Sequence, residues 1–81
     1  MTKAEILAAL SKDYKRALSV YNSMEKQAAA ALAKGDTTGY ENMKKCASAR
    51  AFTLSGIKRA AMVLGIEEIK FMEAVEQLLN A

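Results

Sequence analysis

The chain contains no histidine, no proline and no tryptophan, and only one cysteine and four glycines in 81 residues. Each shortage closes a class of chemistry or of fold. Without histidine, the side chain that ordinarily titrates near neutrality is missing, and with it the commonest general base and metal ligand. Cys46 alone allows neither an intrachain disulfide nor a cysteine-based metal site. Activation of its thiol by Lys44 and Lys45 is weak without an imidazole or a helix N-terminus nearby, so a buried or inert thiol is expected. No glycine-rich phosphate loop occurs. The carboxylates form no acid–base pair, since Asp13 and Asp36 are isolated and the adjacent Glu67 and Glu68 point to different sides of a helix. Neither catalysis nor a bound cofactor or metal is expected. No apolar run reaches the ~18–20 residues of a membrane span, so no membrane partner is expected. Lys12, Asp13, Lys15 and Arg16 arrive too early for a signal peptide, and the chain reads as cytoplasmic.

The missing proline permits long helices, and what the chain has in quantity favours them. Of the hydrophobic 52%, sixteen residues are Ala and one is Cys, which leaves twenty-five large apolar or tyrosine side chains. These suffice for one core. A chain of this length buries only about 60–65% of its unfolded surface, so association is expected. The expected fold is all-α: a single domain over residues 1–81, an antiparallel hairpin of two long helices plus a short C-terminal third helix, forming a dimeric helical bundle.

The boundaries follow from caps and stops. Thr2 and Glu5 have capping-box spacing, so helix 1 runs from about 3 to 34 and stops at Gly35. Thr38 and Glu41 repeat the spacing and open helix 2, about 39–64, which stops at Gly65. Helix 3 covers about 66–79, with Glu67 and Glu68 in its first turn. In helix 1, Leu7, Leu10, Tyr14, Ala17, Tyr21, Met24, Ala28 and Ala31 make an a/d seam. Helix 2 answers with Tyr40, Met43, Ala47, Arg50, Leu54, Ile57, Ala61 and Leu64. The short turn makes the two helices antiparallel neighbours, and the alanine tract 28–31 lets them approach closely near it. Thr53-Leu54-Ser55-Gly56 is the expected place for a kink or break.

The two long helices carry more apolar surface than one seam hides. Leu18, Phe52, Met62, Val63, Phe71 and Met72 are the expected dimer or partner surface. The Met residues at 24, 43, 62 and 72 are read chiefly as core filler, and Tyr14, Tyr21 and Tyr40 as core packing.

Residues 59–66, Arg-Ala-Ala-Met-Val-Leu-Gly-Ile, followed by apolar Phe71 and Ala74, resemble a helix-turn-helix motif, with a small residue at Ala61, Gly four residues later at Gly65 and apolar positions flanking the turn. The resemblance implies that helix 3 would enter the major groove. Its sequence argues against that role: Glu67, Glu68, Glu73 and Glu76 face a single Lys70, and phosphates would repel them. A tight helical corner selects the same residue types and is the preferred reading.

Charge is divided along the chain. Residues 12–59 carry a net +6 and residues 60–81 a net −3, within an overall +3. Lys44, Lys45, Lys58 and Arg59, two heptads apart, form a candidate face for an anionic partner. The plain alternative is a solvated face, and an internal one is acidic helix 3 docking over basic helix 2. Arg50 is unusual as a charged residue on the seam. It is expected to snorkel or to pair with Glu73 or Glu76, with a role in register or partner identity as the sharper reading. The function expected is a small non-enzymatic protein-binding module acting through helical faces as a homodimer. The alternative is a nucleic-acid-associated accessory protein using the basic face of helix 2 on phosphates.

Overall fold

A computed structural model describes all residues, Met1–Ala81, as three helices and no strands: α1 (Lys3–Ala33), α2 (Thr37–Val63) and α3 (Glu68–Leu79). No helix is long and apolar enough to cross a membrane.

The helix ends are set by local hydrogen bonds. Thr2 caps α1 in a complete capping box: its Oγ1 accepts from the Glu5 N–H at 3.1 Å, and Glu5 Oε1 accepts from the Thr2 N–H at 3.2 Å. Both C-termini close in the same way. The Gly35 N–H donates to the Leu32 carbonyl and the Asp36 N–H to Ala31. At the second corner, the Gly65 N–H donates to Met62 and the Ile66 N–H to Ala61. These are Schellman motifs, which require a left-handed residue, and Gly35 (φ 77) and Gly65 (φ 86) supply it. At the second corner the two residues flanking the glycine turn, Ala61 and Ile66, are both buried in the core cluster.

Three expectations about helix limits change. The N-cap of α2 is Asp36, whose Oδ1 accepts from the Gly39 N–H at 2.9 Å, so α2 begins two residues before the Thr38–Glu41 spacing placed it. A carboxylate one residue past the glycine turn accepts from the amide three residues on, so the helix is already capped before Thr38 is reached. The third helix starts at Glu68 rather than 66, because Ile66 is used by the Schellman turn and packs in the core. Helix α2 also runs unbroken through Thr53-Leu54-Ser55-Gly56. Thr53 Oγ1 turns back to the Ala49 carbonyl at 3.3 Å instead of competing for the ladder, and Gly56 sits in open space.

α1 packs along α2 as an antiparallel hairpin. The seam is lined with small residues: Ala17, Ala28, Ala47 and Ala61 are among its buried positions. Two seam assignments are corrected: Leu64, the last position of the expected α2 seam, is 49% exposed, and Arg50 is the other. Arg50 is exposed, whereas its neighbour Ala51 is partly buried. A straight α-helix drifts by about 20° per heptad against a strict seven-residue repeat. By the middle of α2 the inward sequence is therefore Ala47, Ala51, Leu54, Lys58 and Ala61.

The core sits at one end of the hairpin, where α3 folds back and packs more extensively on α1 than on α2. Ala61, Ile66, Phe71 and Val75 form it, ringed by Ile6, Leu7, Leu10, Tyr14, Ile57 and Met72. The Phe71 ring meets Tyr14 edge-on, with centroids 5.5 Å apart and planes at 88°. α3 reaches α1 over small residues beside one large one: Ala4, Ala8 and Ser11, with Leu7, face Ala74 and Leu78 across one groove. Ser11 is 1% exposed, and its hydroxyl donates to the Leu7 carbonyl at 2.6 Å. At about 18 Å, α3 covers less than half of α1, which is about 46 Å long. The rest of the hairpin has no third layer.

Candidate functional site

Apart from Met1, Val20 and Leu32 on the α1 side, the exposed large apolar side chains lie on the second half of α2, its C-cap and the outer side of α3. Phe52 is 79% exposed, Val63 78% and Ile69 71%, with Met62, Leu64 and Leu79 about half exposed. The inward positions of α2, Ala47, Leu54 and Ala61, repeat every seven residues. Lys45, Phe52 and Arg59 carry the same repeat two residues earlier, about 200° around the helix, and so form its outer stripe. On α3, Phe71 and Val75 point inward, while Ile69, Glu73 and Glu76 are exposed on the outer side.

The expected apolar surface is only partly assembled. Phe52, Met62 and Val63 are exposed as anticipated, and Leu18 and Met72 are half-buried. Phe71 leaves the set: it is fully buried, as the central side chain of the core. The spacing of α3 is compatible with Phe71 or Ile69 facing inward, and the Schellman turn at Gly65 decides between them by fixing where the helix begins.

The expected basic face divides into two. Lys44 Nζ lies 3.0 Å from both carboxylate oxygens of Glu25 on α1, and Lys58 Nζ lies 2.7 Å from Glu68 on α3. In each case the hydrogen bond to the carboxylate is the main cause that holds the ammonium above the ordinary lysine pKa. Lys45 and Arg59 point away and have no ion pair. Adjacent residues in a helix are 100° apart, so one member of each pair faces a neighbouring helix and the other faces solvent. The Lys58–Glu68 bridge realises part of the expected docking of acidic α3 over basic α2. The Lys44–Glu25 bridge was not anticipated; its sequence signal is a Glu beside the α1 seam at the height of Lys44 across the hairpin.

Arg50 forms no ion pair, with Glu73, Glu76 or any other carboxylate. It lies along a shallow side groove with Asp13, Arg16, Val20, Thr53 and Ile57. Cys46, expected to be buried or inert, is exposed. Tyr14, Tyr21 and Tyr40 are half-buried, and Tyr14 packs on the core through Phe71. Met24 and Met43 border another shallow depression with Val20.

What this arrangement offers chemically is surface: apolar side chains beside unpaired charges that are mainly basic on α2, where Lys45, Arg50 and Arg59 outnumber Glu41, and mainly acidic on α3, where Glu73 and Glu76 outnumber Lys70. No family model matches the chain, and no curated protein or solved structure proves similar to it.

Proposed function

We propose that this protein is a non-enzymatic protein-binding module, an adaptor, regulator or inhibitor that works through its helical faces as a homodimer. The observation that carries this reading is surplus surface. The chain exposes 5650 Å², whereas a compact monomer of 8.8 kDa exposes about 4,800 Å². The difference, roughly 900 Å², matches the ~800 Å² that one partner contributes to a standard interface. Shape tells the same story. The radius of gyration is 15.1 Å, against about 12 Å for a compact domain of this length. Only nine of 81 residues are buried, while Phe52, Val63 and Ile69 stand in solvent. A face with such side chains gains by being covered.

The alternative, phosphate binding through Lys44, Lys45, Lys58 and Arg59, has weaker support. Carboxylates hold two of those four cations, which leaves Lys45 and Arg59 to attract a polyanion. Capture from native extract separates the two readings. The wild-type protein should retain a partner protein that Phe52→Ser/Val63→Ser releases, while a Lys45→Gln/Arg59→Gln variant and the wild type should show the same weak, salt-labile binding to duplex DNA. Equal retention by the Phe52→Ser/Val63→Ser variant would refute binding through this face.

A further inference from the structure

The unpaired charges of the two outer faces are unlike in balance: cations outnumber carboxylates on the α2 stripe, and carboxylates outnumber cations on α3. On the outer stripe of α2 the cations left without an ion pair are Lys45 and Arg59, with one unpaired carboxylate, Glu41, a turn before Lys45; Lys44 and Lys58 are bound to Glu25 and Glu68, and Arg50 lies in the side groove against α1. On α3 and its N-cap the carboxylates left without one are Glu67, Glu73 and Glu76, against a single unpaired cation, Lys70. The apolar side chains beside them are comparable. Phe52 lies midway between Lys45 and Arg59, seven residues from each, with Val63 one turn beyond Arg59. Ile69 lies one turn before Glu73, with Leu79 at the far end of α3. The α3 stripe is about 10 Å long from Ile69 to Glu76 and the α2 stripe about 21 Å from Lys45 to Arg59, so the first fits along the second. Both stripes face solvent, and a charged pair already joins the same two helices within the chain, at Lys58–Glu68.

From this we infer that the surface is covered by a second copy of the chain, with the acidic outer face of α3 from each protomer laid on the basic outer face of α2 of the other. The inference rests on the binding-module reading and names its partner. α2 and α3 meet at a tight corner, so a two-fold approach brings both contacts together and closes the assembly as a dimer. Each contact sets Glu76, with Glu73 one turn away, against Arg59, and Ile69 against Phe52, since both pairs of positions are seven residues or about 10 Å apart on their own helices; Lys45, about 21 Å from Arg59, adds to the sign of the face. Burial of about 800 Å² per protomer would consume the surplus surface. Opposed charges fix the pairing of α3 with α2 and disfavour α2 on α2 or α3 on α3.

Sedimentation equilibrium with two charge-reversed variants tests the arrangement. In one, Glu73→Lys/Glu76→Lys makes both faces basic; in the other, Lys45→Glu/Arg59→Glu makes both acidic. All four side chains are exposed and free of ion pairs, so each variant should keep the wild-type helical circular dichroism. The wild type should be dimeric at about 100 μM, and each variant alone should dissociate at least about tenfold more readily. An equimolar mixture of the two should recover the dimer, because both contacts then oppose unlike charges. Raising salt from about 0.1 M to about 1 M, which shortens the screening length from about 10 Å to about 3 Å, should weaken the wild-type dimer. A monomeric wild type, a dimer indifferent to both reversals, or variants that stay monomeric when mixed would each overturn the inference. A monomeric wild type that still retains a partner from extract through Phe52 and Val63 would remove the second copy, and with it the homodimer of the proposed function, and leave only the protein-binding face standing.

Discussion

The two phenylalanines of this chain should respond to substitution in opposite ways. Phe71 is fully buried and Phe52 is 79% exposed. Truncating a buried Phe to Ala costs about 3–5 kcal/mol. A single core in a chain this small supplies little more than about 3–5 kcal/mol in total. Phe71→Ala should therefore unfold the protein outright, and Phe71→Leu is the measurable substitution. It removes the edge-on contact with Tyr14, 5.5 Å between centroids, which is worth about 0.5–1.5 kcal/mol. With the small loss of volume, the cost should be about 1–2 kcal/mol. For a domain of this size each kcal/mol lowers the thermal midpoint by about 4–8 °C. Phe52→Ala removes no packed contact and installs the better helix former, so its effect should lie between nothing and a gain of about 0.5 kcal/mol. Circular dichroism melts at two protein concentrations separate folding from association. At the lower one only Phe71→Leu should melt early; at the higher one Phe52→Ala should forfeit the concentration-dependent rise seen in the wild type. A Phe71→Leu protein as stable as the wild type, or a Phe52→Ala protein that is destabilised when dilute, would refute the assignment of core and surface.

Glycine substitutions should also split in sign. Gly65→Ala should cost about 1–2 kcal/mol because φ is +86° and the new methyl would press on the Lys3 ammonium. Gly56→Ala, inside α2 with open space around it, should stabilise by about 0.5–1 kcal/mol; urea unfolding reads both. Alkaline pH should dissolve the two lysine bridges. Glu25 and Glu68 raise the pKa values of Lys44 and Lys58, so their stabilisation is complete below the unfolded lysine value of about 10.4 and is lost as pH rises through the folded values. The midpoint difference between wild type and Lys44→Met/Lys58→Met should hold steady from neutral pH to about pH 9 and narrow beyond about 10.4; a constant difference would mean that packing, not charge, sets it. Arg50→Ala should shift stability by less than about 0.5 kcal/mol, since the side chain is exposed and unpaired. A loss above about 1 kcal/mol in the same urea assay would restore Arg50 to the seam.

The amino-acid sequence by itself determined what depends on neighbours along the chain. Three helices, the Thr2–Glu5 cap, the stops at Gly35 and Gly65 and the α1 seam are all legible, because propensity, capping and periodicity act within one or two turns. Even the Asp36 cap is local, and Thr38–Glu41 is a competing pattern two residues on. The tertiary structure decided what depends on which side a neighbouring helix takes. Lys44 and Lys45 are equivalent in sequence, yet Glu25 lies across the hairpin from one and solvent faces the other. Phe71 and Ile69 are both apolar and two residues apart, but α3 rests on α1 in a single orientation, and so one becomes the centre of the core and the other its outer face. Arg50 and Ala51 exchange roles for a similar reason: a drift of a few degrees per turn, invisible in a seven-residue repeat, accumulates along a helix of 27 residues until the adjacent position faces inward.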